Sequence, residues 1–314
     1  MKQNTQGFVM VCVLWVLAIL TVVTVGFGRR AVLDRRAAAY ALDHAQAMMM
    51  ARGAVQRGIV ELRNKALKDR LKAEEERGMV HLGQEWAHPK NLLKESRYFA
   101  GGDEFADDTV NYIIVDLEAR ICPNACEKKF LEAIEGMSRS VKRQIWTRRT
   151  KGVHEGEFRA PIHAIEEIRY MRGVDDDDWF GTRGNPGLAE LLSPVGTGRI
   201  NLNTASEEVL ASVPKLGDNA VKKIIAYRIG DDGQLGTRDD RGFQNLDKLE
   251  KETGVRGDSL EALKQFCKTS SDFFKITGYA TRRGGAVRAV CSAVARIGGN
   301  SAQVISWQEE PLGS

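Results

Sequence analysis

Residues 8–27 form an unbroken run of twenty residues without a charged side chain, FVMVCVLWVLAILTVVTVGF. As a helix rising about 1.5 Å per residue it spans roughly 30 Å, the hydrocarbon thickness of a bilayer. A cleavable secretory signal has a shorter apolar core followed by a small-residue cleavage site. Here the run ends at Gly28-Arg29-Arg30, so it reads as a retained membrane helix. The charges around it conflict with export. Only Lys2 and the amino terminus precede the run, whereas Arg29, Arg30, Arg35 and Arg36 follow it. Counted alone, those arginines would hold the head in the cytoplasm.

Beyond Arg30 the helical pattern persists. No proline occurs before Pro89, and Met48, Ala51, Val55, Ile59, Leu62 and Ala66 recur at three- and four-residue steps, which predicts an amphipathic continuation. The remaining chain has ordinary globular composition, 43% hydrophobic and 28% charged over 314 residues. Its 46 basic and 42 acidic side chains leave a formal charge of +4, too weak to single out nucleic acid or an anionic membrane as partner. Cys12 sits in the apolar run, while Cys122, Cys126, Cys267 and Cys291 lie in the soluble part. Four cysteines permit two disulfides in an oxidising compartment, with three connectivities open, or four buried thiols.

The soluble part contains an internal repeat. Arg120-Ile121-Cys122-Pro123-Asn124-Ala125-Cys126 aligns with Arg199-Ile200-Asn201-Leu202-Asn203-Thr204-Ala205. Further on, Ala164-Ile165-Glu166-Glu167-Ile168 with Gly173-Val174 aligns with Asn245-Leu246-Asp247-Lys248-Leu249 with Gly254-Val255. Two copies of one helical unit are expected over about 120–192 and 199–271, packed as one all-α domain over 120–271. In the second copy, Asn203 or Thr204 is predicted to cap a helix that carries Glu207 and Glu208 in its first turn. Segments 110–117, 273–279, 286–297 and 304–307 are rich in β-branched and aromatic residues, and Arg282-Arg283-Gly284-Gly285 forms a turn signal. Strands on either side of a helical block predict an α+β protein with the block inserted into its sheet.

Gln6-Gly7-Phe8-Val9-Met10 resembles a type IV prepilin leader. The resemblance implies cleavage by prepilin peptidase after Gly7, methylation of Phe8, and retention of the apolar helix on the mature subunit. Cys12 occupies the fifth mature position, where ordinary pilins carry Glu. That departure, together with Ile200-Asn201-Leu202-Asn203-Thr204-Ala205 and Glu208-Val209-Leu210, resembles the minor pseudopilin K family of type II secretion systems. The likeness runs from Gly7 to about Trp307. Cys122, Pro123 and Cys126 depart from the repeat motif and put its capping in doubt.

The fold so implied is α+β: a type IV pilin-like long N-terminal helix plus an antiparallel sheet, with a large inserted all-α domain made of two related units. The expected segments are a leader over 1–7, a transmembrane and fibre-core helix over 8–27, the rest of the helix and the first part of the core over 28–119, the helical domain over 120–271, and C-terminal strands over 272–314. The implied role is a minor pseudopilin that binds sibling minor pseudopilins of the I and J types and the major pseudopilin. It would sit at the pseudopilus tip and help initiate assembly for export of folded proteins. The implied location is the bacterial inner membrane, single-pass, with the head in the periplasm.

Two local readings compete. Residues 200–228 also resemble the helix-hairpin-helix of competence-type DNA receptors, which bind phosphates through backbone N–H groups at a Gly-rich hairpin. Lys215 in place of the first hairpin glycine, and Asp218 where a phosphate would lie, argue against DNA. A membrane-anchored DNA-uptake or type IV pilus accessory protein is the runner-up. Residues 230–240 carry four Asp and three Gly, a composition suited to Ca²⁺ and its six to eight oxygen ligands, though not an EF-hand. Asp231, Asp239 and Asp240, with Gln234 through a carbonyl, are the candidate ligands, and the K-family resemblance also implies Ca²⁺ in this lobe. The Asp175–Asp178 run reads as a solvated face or a helix cap rather than a metal site. No nucleophile-elbow, zincin or P-loop motif occurs, and no catalytic role is expected.

Overall fold

The computed structural model describes residues 5–72, 78–92, 107–151, 161–183, 185–298 and 301–310. Four residues of the leader segment lie outside these. Helix α1 (Thr5–Arg70) runs for 66 residues, about 100 Å. Its apolar first part is bare, with Phe8 74% and Trp15 67% exposed. From Asp43 onward one face is buried through Ala47, Met48, Ala51, Ala54, Val55, Ile59 and Leu62. Small residues on this face bring the sheet close. A Cβ on Gly58 would lie 2.7 Å from Ile276 Cγ2, and one on Gly278 would lie 2.3 Å from the Ala51 carbonyl oxygen.

Strands β1 (Lys90–Asn91) and β2 (Thr109–Asp116) follow. The helical lobe comes next: α2 (Lys128–Ala133), α3 (Arg139–Lys151), α4 (Asp176–Phe180), the short pair β3 (Gly181–Thr182) and β4 (Asn185–Pro186), α5 (Leu188–Leu191), β5 (Ile200–Asn201), α6 (Glu207–Ala211), α7 (Asp218–Arg228), α8 (Leu249–Thr253), α9 (Asp258–Phe266) and β6 (Cys267–Lys268). The chain then returns through β7 (Phe273–Arg282), β8 (Val287–Gly298) and β9 (Ser301–Glu309). The sheet order is β1-β2-β7-β8-β9, antiparallel throughout. Asp116 pairs with Phe274, so the two ends of the lobe leave from adjacent strands.

The two halves of the lobe repeat each other in detail. Helices α2 and α6 begin 79 residues apart, at Lys128 and Glu207, and so do α3 and α7, at Arg139 and Asp218. Each unit closes by a parallel pairing onto its opening segment, Ile121 with Leu192 and Ile200 with Cys267. Asn124 donates to the carbonyls of Ile162 (2.8 Å) and Pro194 (2.7 Å) and accepts the Ile162 N–H (2.9 Å). Asn203 does the same with Phe243 (3.0 Å and 2.7 Å) and Thr269 (3.4 Å). Arg149 and Arg228 each donate to the carbonyl of the last residue of the aligned opening segment, Cys126 and Ala205 respectively. The apolar faces of both units merge in one cluster that includes Ile121, Phe130, Ile145, Leu202, Leu210 and Phe266. A second cluster holds α1 against the sheet through Val55, Leu62, Tyr112, Ile276 and Ala293.

One predicted cap is corrected. The N-cap of α6 is Ser206, whose side chain accepts the Val209 N–H. Asn203 and Thr204 are both buried and bonded to distant partners, Phe243 and Asp116, so neither side chain is left for the helix terminus.

Candidate functional site

The lobe meets the sheet through a buried polar joint. Asp116 Oδ2 accepts from Asn201 Nδ2 (2.9 Å), the Thr204 hydroxyl (2.6 Å) and the Ser271 hydroxyl (2.6 Å), and Oδ1 accepts the Glu118 N–H (2.9 Å). Burial raises the Asp116 pKa, against the pull of these donors. Asn201 also donates to the Val80 carbonyl at 3.0 Å. Beside it, Glu118 accepts from Lys268 Nζ (2.6 Å), the Asp272 N–H (2.6 Å), and the N–H and hydroxyl of Thr197 (2.8 Å and 2.6 Å). Asn201 and Thr204 belong to the aligned motif. The carboxylate they serve, Asp116 at the end of β2, and Glu118 in the 3-10 turn after it carry no sequence signal of this role.

At the other end of the sheet, the β7–β8 turn grips the helix where it leaves the head. Asp43 pairs with Arg283 Nε at 2.7 Å and Arg282 Nη1 at 3.5 Å, and Arg282 Nε also reaches Asp108 at 3.1 Å. Toward the amino terminus the helix carries Gly7 and Phe8 in its first turns, so the expected processing point lies at the bare end of α1.

The acidic loop after α7 is folded on its own backbone. Asp239 Oδ2 accepts the N–H groups of Asp231 (2.6 Å) and Asp232 (3.0 Å), and Oδ1 accepts the Thr237 hydroxyl (2.6 Å). The Thr237 hydroxyl bond, with the backbone donors behind it, pushes the Asp239 pKa down to about 2. Asp231 faces Arg241 at 2.9 Å, and the Gln234 carbonyl accepts from Thr237. Asp240 is buried; its Oδ2 accepts the Gly236 N–H at 2.7 Å, while Oδ1 has no hydrogen-bond partner. Behind it, Arg228 is fully buried with Nε and Nη2 also lacking partners, and burial lowers its pKa to about 10 despite the Asp240 charge. Thus the loop offers hard oxygen donors and one open, buried carboxylate oxygen. Among the described residues no group of three or more His, Cys, Asp or Glu side chains converges as a metal site.

Of the two states open to Cys122, Cys126, Cys267 and Cys291, crosslinked or buried as thiols, the structure has the second. All four are free, buried thiols, and burial raises them, Cys122 and Cys291 to about 11, Cys126 and Cys267 to about 12. Cys126 and Cys267 pack in the lobe core and Cys291 in the helix–sheet core, where each acts as a small apolar side chain.

The two hairpins between paired helices have equivalent backbones. Gly136 (φ 73°) turns the first and Lys215 (φ 64°) the second, so Lys215 holds a left-handed conformation that glycine adopts without strain. Asp218 opens α7 directly after it.

Comparison with known proteins agrees with this layout. Residues 195–268, the second unit, match the helix-hairpin-helix motif family. No curated protein matches the sequence. Among solved structures, the chain is similar to GspK in the GspK–GspI–GspJ complex of the enterotoxigenic Escherichia coli type 2 secretion system. The TM-score is 0.54 at 14% identity, over 86% of this chain and 98% of that one. A long amino-terminal helix, an antiparallel sheet and a helical lobe inserted between two paired strands are together the fold of a GspK-like minor pseudopilin.

Proposed function

We propose that the chain is a minor pseudopilin of a type II protein secretion system, anchored by residues 8–27 in the bacterial inner membrane with its head in the periplasm. It acts by binding, not by catalysis. It would join sibling minor pseudopilins of the I and J types and the major pseudopilin at the pseudopilus tip and help initiate assembly. The observation that carries this reading is the lobe inserted between β2 and β7 on a sheet packed against a helix whose first third is apolar and bare. GspK has that fold and was found with GspI and GspJ. Intact mass of the mature protein tests it. Cleavage after Gly7 with one methyl group added on Phe8 is expected; an unprocessed amino terminus, with the head shielded from protease added to spheroplasts, would refute it.

The helix-hairpin-helix match favours a second reading, phosphate-backbone binding by the lobe. Lys215 and Asp218 weigh against it, since a carboxylate at the start of α7 repels the phosphate that the hairpin would otherwise receive. A gel shift at low salt with duplex DNA is expected to show no complex.

Ca²⁺ binding by the 230–240 loop remains part of the proposal, supported by the oxygen-rich sequence and the open Asp240 Oδ1. Asp239 would have to exchange its backbone donors for the ion, so weak, millimolar-range affinity is expected. Calorimetric titration with CaCl₂ that gives neither heat nor a rise in melting temperature removes it.

A further inference from the structure

Where α1 leaves its apolar run it carries Arg29, Arg30, Arg35 and Arg36, all exposed. One acid stands among them. Asp34 reaches Arg30 Nε at 3.9 Å, but the two side chains are 74% and 80% exposed, so water screens the pair. Arg29, Arg35 and Arg36 have no hydrogen-bond or ion-pair partner among the described residues. Further along the same helix an arginine does find one, Arg52 with Glu309 at 2.7 Å.

At about 100° per residue the four arginines point to roughly 0°, 100°, 240° and 340° around the helix axis. They form a collar rather than a stripe. A single partner helix would cover one side of it, whereas lipid surrounds a membrane helix on every side. Their height fits the same surroundings. Arg29 lies about 3 Å and Arg36 about 14 Å beyond Phe27, and the polar layer on each face of a bilayer is roughly 5–8 Å thick. Side chains on a helix lean toward its amino terminus, which here is the membrane side, so Arg35 and Arg36 reach back toward that layer. Between the two arginine pairs, Val32 (52% exposed) and Leu33 (63%) carry bare apolar surface up to the same level.

We propose that the Arg29-Arg30-Arg35-Arg36 collar binds the phosphate groups of anionic phospholipids in the leaflet on the head's side of the membrane. A guanidinium donates paired N–H groups to phosphate oxygens, which suits it to this partner. A zwitterionic headgroup offers the same phosphate but cancels its charge with its own ammonium, so the collar selects anionic lipid. The site rests on the membrane anchor of the function proposed above. It gives the arginines that oppose export by count a partner on the far side of the bilayer, which offsets the cost of carrying them across.

The full-length chain, reconstituted in vesicles of phosphatidylcholine with about one part in five phosphatidylglycerol, provides the test. Lipid that stays with the chain after mild detergent extraction is identified by native mass spectrometry. Phosphatidylglycerol is expected to be enriched about fivefold or more over its share in the vesicle, the effect of roughly one arginine at an anionic surface. Replacing all four arginines by glutamine, which keeps helix propensity, should return the retained lipid to the vesicle's own ratio. Arg57→Gln with Arg63→Gln, on the same helix but about 45 and 54 Å beyond Phe27, should leave the enrichment unchanged. Asp34→Asn should raise it, because only the opposing charge is removed. No enrichment in the unsubstituted chain, enrichment that survives loss of the collar, or equal loss in the Arg57 and Arg63 variant overturns the collar while leaving the anchor standing. A chain that alkaline carbonate washes from the vesicles overturns both.

Discussion

Equivalent asparagines in two copies of one unit allow a substitution to carry its own control. Asn203 is 1% exposed, and Asn203→Ala removes three hydrogen bonds, two to Phe243 and one to Thr269. Phe243 is fully buried, so its N–H and carbonyl are left without solvent to replace the side chain. At about 1 kcal/mol per neutral bond the loss is about 3 kcal/mol. Asn124→Ala removes the same three bonds in the first unit, but Asn124 is only half-buried and water can reach part of the gap. There the loss is about 1–2 kcal/mol. For a cooperative unit of 150–250 residues, 1 kcal/mol shifts the melting temperature by roughly 2–4 °C. Calorimetry of the full chain in detergent should then show drops of about 6–12 °C for Asn203→Ala and about 2–8 °C for Asn124→Ala. Both should appear in one lobe transition, since the two units share one core. Separate transitions for the two units, or a larger effect at Asn124 than at Asn203, would refute the reasoning.

Lys215→Gly removes a left-handed lysine from the second hairpin and should stabilise the chain by about 0.5–1 kcal/mol in urea unfolding, without creating DNA binding, because Asp218 remains. Asp43→Ala leaves Arg282 its Asp108 partner but strips the ion pairs between α1 and the β7–β8 turn, so a loss of about 1–3 kcal/mol and faster proteolysis at the turn are expected. Asp239 has a folded pKa below its unfolded value. The order it lends the loop is therefore complete above about pH 4 and lost as the pH falls toward about 2. Amide exchange at Asp231 and Asp232 should quicken over that window, and Asp239→Asn should abolish the pH dependence.

What could be read from the sequence was what is periodic or repeated. The three- and four-residue spacing of Met48, Ala51, Val55, Ile59 and Leu62 is a local property of the chain, and those residues do line the buried face of α1. The repeat was legible because the asparagine and its neighbours are needed twice for the same local turn. The cap at α6 was misplaced because residue type alone cannot separate a terminus from a tertiary bond: Asn203 and Thr204 are suited to both, and partners 40 and 88 residues away claim them. The number of cysteines permits crosslinks but says nothing of geometry, and the four thiols are free. The composition of the 230–240 loop names oxygen chemistry, whereas the direction of each carboxylate depends on backbone N–H groups that composition does not locate.

The joint at Asp116 explains how the inserted lobe is held in one orientation on the sheet. A domain attached by one linker turns freely, but this lobe leaves and re-enters through β2 and β7, which are paired along all eight residues of β2. Asp116 and Glu118 then bond residues of the second unit and Thr197 of the segment that joins the two units, mostly away from water, and Asn201 ties the same joint to the Val80 carbonyl. Any swing of the lobe must leave at least one of these carboxylates buried and short of donors, an arrangement costing several kcal/mol. A load on the lobe is therefore passed to β2 and β7, from them to the helix packed across both strands, and along that helix toward the bare apolar end. Lobe, sheet and helix therefore respond to a load as one body, because a swing at the junction would strip its buried polar groups of the partners that satisfy them.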